Sequence, residues 1–398
     1  MSPQTKQNIA RFLAFAIIPL SGFATDIYIP SLPQMGADLN VTSLQVQMTL
    51  TIFLISYGLS QLFIGAILDS FGRFKIGLAA LVLFAISCVV VATTQNIYVI
   101  FLMRAIHGLT VATIVVAKRA YFVDLYEGEQ LRNYLSIFTI IWSAGPIIAP
   151  FIGGFLQTGF GWNFNFYFLA AIAGALAILE YIFSGETLPV AAEFNLRKIA
   201  GVYYRMLTTA SFTLGLIMLG LAYSMVMVYN LTGPFIIEHH FNFSPVIIGY
   251  CSLILGFAWM LGGLLGKLTI NRPFLKKIII NLIIQLLFVV IMLVSITFVE
   301  TVYSLIFFAF IVHVCAGYTF NNYFTFNLGQ FPQNAGIAGG LVGGVVFVIV
   351  SFLSYMMVYF IPAKDERNLS ISYLFLVLAS FVIMLFVYKF NNSRKFEK

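Results

Sequence analysis

The chain has 398 residues, of which 61% are hydrophobic and only 9% charged, with a formal net charge of +7 and a mean hydropathy of +0.99. Soluble domains carry about a quarter charged residues, so this chain has too few to cover a water-facing surface, and a soluble fold is excluded. Its three cysteines, Cys88, Cys251 and Cys315, all lie in apolar stretches, which argues against a disulfide framework or a metal site.

In chain order the apolar runs predict twelve helices, near residues 10–30, 44–67, 76–94, 97–122, 134–157, 163–184, 209–231, 245–267, 277–299, 302–323, 336–361 and 370–390. About 20 helical residues cross a hydrocarbon layer of roughly 30 Å, and backbone groups in lipid must be satisfied within the segment, which makes helices the default. The intervals 39–68, 76–103, 206–237 and 278–299 contain no Asp, Glu, Lys or Arg. Two longer charge-free intervals, 133–179 and 301–363, hold two spans each, divided where Gly, Pro and Asn cluster in QTGFGWNFN (157–165) and NNYFTFNLGQFPQNAG (321–336). The alternation of a membrane barrel is absent from the sequence. Basic residues ahead of the first span, with SGFA at its end, suit a cleaved leader. The span runs into Asp26 rather than a soluble domain, however, and is read as retained.

The basic residues set an expected orientation. With the N-terminus inside, 18 of the 21 fall in cytoplasmic segments; Lys364 and Arg367 lie in an external loop and Arg104 lies within a helix. This bias places both termini in the cytoplasm, and the positive charge then marks orientation rather than a nucleic-acid partner. The polar stretch from Gly185 to Thr208 divides the chain. The expected fold is an all-α membrane protein whose twelve transmembrane helices form two pseudo-symmetric six-helix bundles, 1–184 and 209–398, joined by a cytoplasmic linker, 185–208. Gly65 with Lys75 and Gly266 with Lys276 repeat one spacing at a turn in each half, as expected of transporters built from internal repeats.

Buried ionisable residues are the first functional candidates, because a carboxylate at mid-membrane costs about 2.5–3.5 kcal/mol on insertion scales and generally faces a cavity or a partner. Asp26 follows a charge-free run from Phe12 to Thr25 and precedes two prolines in GFATDIYIPSLP (22–33); Arg104, in RAIHG, comes to a similar depth on the fourth helix. Burial and a neighbouring guanidinium act in opposite senses on a carboxylate, which suits a group that loads and releases a proton. Against this stands an interfacial Asp26 that merely solvates its helix end, with Arg104 as a snorkelling anchor.

GAILDSFGRFKIG (65–77) places Asp69, Arg73 and Lys75 at the turn between the second and third helices, and Asp124 ends the fourth in the same compartment. These charges form either a latch or an ordinary basic turn. GPIIAPFIGG (145–154) carries Gly145, Pro146, Pro150, Gly153 and Gly154 inside the fifth span, where they kink the helix and admit a close neighbour. GFAWMLGGLLG (256–266) and GIAGGLVGG (336–344) are similarly rich in small residues. Tyr28, Tyr57, Tyr223 and Tyr229 are candidates for lining a pocket. His313 reads as a structural histidine or a proton relay, Glu180 as reaching the inner interface, and His239 and His240 lack a third ligand for a metal. No P-loop, Ser–His–Asp order or HExxH occurs.

These residues resemble a known family. The twelve helices look like those of the major facilitator superfamily; GAILDSFGRFKIG is similar to its loop signature, with Ser70 in place of a basic residue, and RAIHG matches its fourth-helix signature. Gly145, Pro146, Ala149, Pro150, Gly153 and Gly154 follow the antiporter signature, with Ala149 replacing a glycine. TDIYIPSLP (25–33), KRAYFVDLY (118–126), GETLP (185–189) and FPQNAGIAGGLVG (331–343) resemble the bicyclomycin-resistance (Bcr/CflA) branch of drug:proton antiporters. The resemblance implies that Asp26 accepts protons and substrate with Arg104 as its coupling partner, and that Asp69, Arg73 and Asp124 form an inward gate. It implies a proton-coupled exporter of hydrophobic or amphipathic molecules, working by alternating access in a bacterial inner membrane. Such a protein is driven by the proton gradient, needs no cofactor or metal, acts as a monomer and is not an enzyme. A dedicated exporter of a metabolite such as a siderophore, a proton-coupled importer, and a membrane enzyme or receptor are the competing readings.

Overall fold

The computed structural model describes residues 3–188, 190, 191, 196–331 and 335–396. Among these, twelve helices are long and apolar enough to cross a membrane: α1 (Gln4–Asp38), α2 (Ser43–Phe71), α3 (Phe74–Thr93), α4 (Ile97–Leu125), α5 (Gly128–Phe160), α6 (Asn163–Phe183), α7 (Ala210–His240), α8 (Pro245–Leu268), α9 (Phe274–Ser295), α10 (Val302–Gln330), α11 (Ile337–Phe360) and α12 (Glu366–Lys389). The expected count and order are found. Several helices are longer than their apolar cores, since α5 begins at Gly128 and α10 runs to Gln330 with polar turns that the hydropathy pattern does not mark.

The chain divides into two compact units, Met1–Leu196 and Arg197–Lys398. Within the first, α2 lies along α4, α3 packs on α4 and α6, and α1 packs on α5. Within the second, α8 lies along α10, α9 packs on α10 and α12, and α7 packs on α11. The same pairs recur six helices later. A further helix, Leu196–Leu207, precedes α7. Pro189 of GETLP and residues 332–334 of FPQNAGIAGGLVG lie outside the described residues, as do residues 192–195 of the linker.

Short polar residues start several helices. Thr42 accepts from the Gln45 backbone N–H at 3.3 Å while the Gln45 side chain accepts from the Thr42 N–H at 3.0 Å, a reciprocal cap on α2. Thr301 and Ser304 do the same for α10, and Asn96 caps α4.

The first span departs from the single helix expected over 10–30. It is helical over Pro3–Ile17 and Leu20–Asp26, turns through a 3-10 segment at Ile29–Ser31, and resumes at Leu32–Asp38. Prolines explain both breaks. Each lacks the N–H that would bond four residues back and crowds that carbonyl, so Pro19 interrupts the helix below Leu20 and Pro30 ends it at Asp26.

The α1–α5 contact is made backbone to backbone. A Cβ on Gly22 would lie 2.6 Å from the Gly145 carbonyl carbon, and a Cβ on Gly153 would run into the Ile27 carbonyl oxygen. Gly145, Ala149, Pro150, Gly153 and Gly154 are buried. The small residues of the fifth helix therefore serve to bring it onto the broken segment that carries Asp26. Gly153→Ala should destabilise the detergent-solubilised protein by about 1–3 kcal/mol, the usual effect of overpacking. Gly159→Ala, where a Cβ meets nothing within 4 Å, should leave thermal unfolding unchanged.

Candidate functional site

Asp26 and Arg104 are both buried, Asp26 at 2% relative exposure and Arg104 at 0%. The guanidinium reaches from α4 onto α1. Its Nη1 donates to the Ala24 carbonyl oxygen at 2.9 Å, Nη2 to the Tyr28 hydroxyl at 3.3 Å, and Nε to the Thr49 carbonyl oxygen at 3.4 Å. Ala24 and Tyr28 stand two residues before and two after Asp26, so Arg104 clasps the carboxylate's segment from both sides. The Arg104 guanidinium carbon lies 4.6 Å from the Tyr28 ring centre and 4.4 Å from that of Phe53, and aromatic faces stabilise a desolvated cation. The Tyr28 hydroxyl also meets the Thr49 hydroxyl at 3.0 Å.

His107 completes the site. Its Nδ1 lies 3.3 Å from Arg104 Nη1, which only donates, so Nδ1 is the acceptor and the proton sits on Nε2, 3.4 Å from Cys88 Sγ. Its ring is 4.9 Å from that of Phe84. His107, Thr49 and Phe53 are not among the residues expected at this site. His107 was findable, because it follows Arg104 by three residues and so shares its helix face; nothing in the sequence singles out Thr49 or Phe53.

A second cluster lies at the α2–α3 turn. Arg73 pairs with Asp69 at 2.8 Å and with Asp124, and its Nη1 donates to the Ala120 carbonyl oxygen at 2.9 Å. The three residues expected to form a gate are thus in contact. Two residues of GETLP join them. The Thr187 hydroxyl donates to Asp124 Oδ2 at 2.9 Å, and the Glu186 carboxylate accepts from the backbone N–H groups of Arg73 at 3.0 Å and Phe74 at 3.1 Å. The first N–H groups of a helix have no internal partner, and no side chain of the α3 cap residue supplies one. Glu186 therefore caps α3 from more than 100 residues away in sequence. Gly72 makes the approach feasible: its φ is +97°, and a Cβ there would stand 2.7 Å from Glu186 Oε2.

The remaining candidates separate. Tyr57 stacks on Phe53 with ring centres 5.9 Å apart, beside the Arg104 site. Tyr223 belongs to the second unit, in an aromatic group with Trp259, Phe320 and Phe347. Tyr229 lies edge-on to His313 at 5.6 Å. Glu180, expected to reach the inner interface, is buried within the protein and paired with Lys118 at 2.5 Å. A lysine counted only toward orientation supplies the partner that lets this carboxylate be buried. His240 pairs with Glu300 at 3.0 Å.

Partial burial acts to raise the Glu186 carboxyl, but donation from the backbone N–H groups of Arg73, Leu188, Phe74 and Thr187 outweighs it and holds the group below its ordinary value of 4.5. A lowered carboxyl contributes stability that is fully present above the ordinary value and is lost as pH falls through the folded one. Hydrogen-exchange protection at the Arg73 and Phe74 amides should be constant from neutral pH to about 4.5 and fall below it. Glu186→Ala should show the unprotected value throughout.

The profile of the Major Facilitator Superfamily matches residues 14–355. The MFS-type transporter YdgK of Bacillus subtilis is 26% identical over 365 residues, 89% of each chain. Multidrug resistance protein D of Escherichia coli is 32% identical over 48% of each chain, and the bicyclomycin resistance protein homolog of Haemophilus influenzae is 32% identical over 46% of each. The matches to these two resistance proteins thus span about half their length. Among solved structures, the nucleoside transporter NupG superposes with a TM-score of 0.70 at 15% identity, over 96% of this chain and 97% of that one. A bacterial homolog of the human lysosomal transporter Spinster superposes with a TM-score of 0.68 at 14% identity, over 97% and 96%. These two show the fold.

Proposed function

The chain belongs to the Major Facilitator Superfamily, and on that premise we propose that it is a proton-coupled exporter of small hydrophobic or amphipathic molecules working by alternating access. It is a multi-pass bacterial membrane transporter rather than an enzyme. Relatives named for multidrug and bicyclomycin resistance support drug-like cargo. The basic residues support a cytoplasmic placement of both termini.

The observation that carries the coupling is the buried Asp26 on a short segment held at Ala24 and Tyr28 by Arg104. A carboxylate in so dry a place changes its surroundings when it changes charge, and the contacts of its segment pass directly to α4. In the proposed cycle Asp26 takes a proton from outside as cargo leaves and releases it inside as the next cargo binds. One charge crossing 100 mV contributes about 2.3 kcal/mol, and the pH gradient adds to it. Arg73 with Asp69 and Asp124 latches the inner end in one state. An anionic metabolite such as a siderophore would draw on Arg104, but four of the five N–H groups of that guanidinium are already given to Ala24, Thr49, Tyr28 and His107, which favours the drug-like cargo.

Asp26→Asn in proteoliposomes should still bind cargo but no longer exchange it for protons, with flux under an imposed pH gradient falling to the level of protein-free vesicles. Full gradient-driven transport by this variant would remove Asp26 from the mechanism.

A further inference from the structure

The helix Leu196–Leu207 takes no part in the sites described above. Its sequence, LRKIAGVYYRML, holds Arg197, Lys198 and Arg205 and no carboxylate, and the chain carries no acidic residue from Asn195 to Ile237. At about 3.6 residues per turn its side chains fall into three stripes. Ile199, Val202 and Met206 turn toward the protein: Met206 is 1% exposed, and the other two are half-buried. Ala200, Tyr203, Tyr204 and Leu207 make an apolar stripe that is largely uncovered, with Tyr204 73% and Leu207 41% exposed. Arg197, Gly201 and Arg205 make the third stripe, and all three are exposed.

Only Thr208 and Thr209 separate this helix from α7, and the junction is fixed. The Thr209 N–H donates to the Met206 carbonyl oxygen at 3.1 Å and its hydroxyl to the Arg205 carbonyl oxygen at 2.9 Å. From the first turn of α7 the Thr213 hydroxyl donates to the Leu207 carbonyl oxygen at 2.6 Å. Thr209 itself is extended, with φ −81° and ψ 103°, so the chain leaves one helix before it enters the other. The 31 residues of α7 measure about 46 Å, against about 40–45 Å for a bilayer with its headgroups. The start of α7, and the helix fastened to it, therefore stand at headgroup level. Exposed Tyr and Leu side chains beside unpaired cations are poorly matched to water. They match the boundary layer, where tyrosine rings concentrate and basic side chains reach lipid phosphates.

We propose that Leu196–Leu207 is an in-plane membrane anchor that binds anionic phospholipids. Tyr203, Tyr204 and Leu207 enter the boundary between headgroups and acyl chains, while Arg197 and Arg205 pair with the headgroups from the adjoining stripe. The stripe of Met206 stays on the protein, so the lipid contact adds to the packing of the helix and does not compete with it. Charge selects the occupant: a helix with three cations and no carboxylate favours lipids of net negative charge over zwitterionic ones.

The test places a nitroxide on the full chain at Leu207→Cys or Gly201→Cys, the native cysteines being buried, in nanodiscs of phosphatidylcholine with or without phosphatidylglycerol. The label at 207 should collide with dissolved oxygen more than with a water-soluble nickel chelate, and the label at 201 the reverse. Phosphatidylglycerol should shift the 207 label further toward lipid. Arg197→Gln and Arg205→Gln, both at exposed positions, should each cut that gain about fivefold. Equal nickel access at 207 and 201, no response to phosphatidylglycerol, or a full response in the double glutamine variant would overturn the anchor. So would shielding of the 207 label from oxygen and nickel alike, which marks a protein contact. No cargo or pH gradient enters the measurement, so the result is independent of the proton-coupling reading.

Discussion

A guanidinium cut off from water must have its N–H groups answered by fixed neighbours, and the answer given to Arg104 organises much of the first unit. Its acceptors come from α1 and α2, and its own helix supplies the histidine beside it. The carbonyl of Ala24 is available in a span already interrupted on either side, and the same segment packs at Gly22 and Ile27 against the glycines of α5. Removing water from a cation costs several kcal/mol unless partners replace it. Here they are one hydroxyl, two carbonyls, an imidazole nitrogen and two aromatic faces. The charge is therefore a structural tie between α4 and the Asp26 segment.

The α2–α3 turn applies the same economy at a more exposed place. Arg73 gathers two carboxylates and a carbonyl, while Glu186 satisfies the open N–H groups at the start of α3. Because Thr187 holds Asp124, the first residues after α6 are fastened to both the turn and the end of α4. The Asp69–Arg73–Asp124 cluster is thus coupled to the segment leading out of the first unit, through two residues with no periodicity or hydropathy of their own.

Composition alone reveals the twelve helices, because charge-free runs of bilayer length have few alternatives. The breaks in α1 escape the expectation of one helix over 10–30, although Pro19 and Pro30 each remove a donor from a helix. What escapes the sequence is pairing across helices. Glu180 looks interfacial from its position near Glu186, and only the fold reveals Lys118 opposite it. His107 is visible as a neighbour of Arg104, but Thr49 contributes a backbone carbonyl that any residue carries. The cap by Glu186 spans more than 100 residues, and no local pattern marks a partner at that separation. The roles proposed for Asp26 and Arg104 come from family resemblance, while the geometry shows what surrounds them.

The seven residues Leu20–Asp26 form a helical piece with a proline-made discontinuity at each end. An unbroken helix would have to rupture hydrogen bonds to twist in its middle. At the ends of this piece, by contrast, Pro19 and Pro30 donate none, and shorter links such as that from the Ser21 N–H to the Ile18 carbonyl at 3.3 Å remain. Its orientation is set by contacts on its flanks, chiefly the guanidinium and the bare glycine backbone of α5. A change in either therefore bears first on the acid-carrying piece, at the joints where the span is held by the fewest backbone bonds.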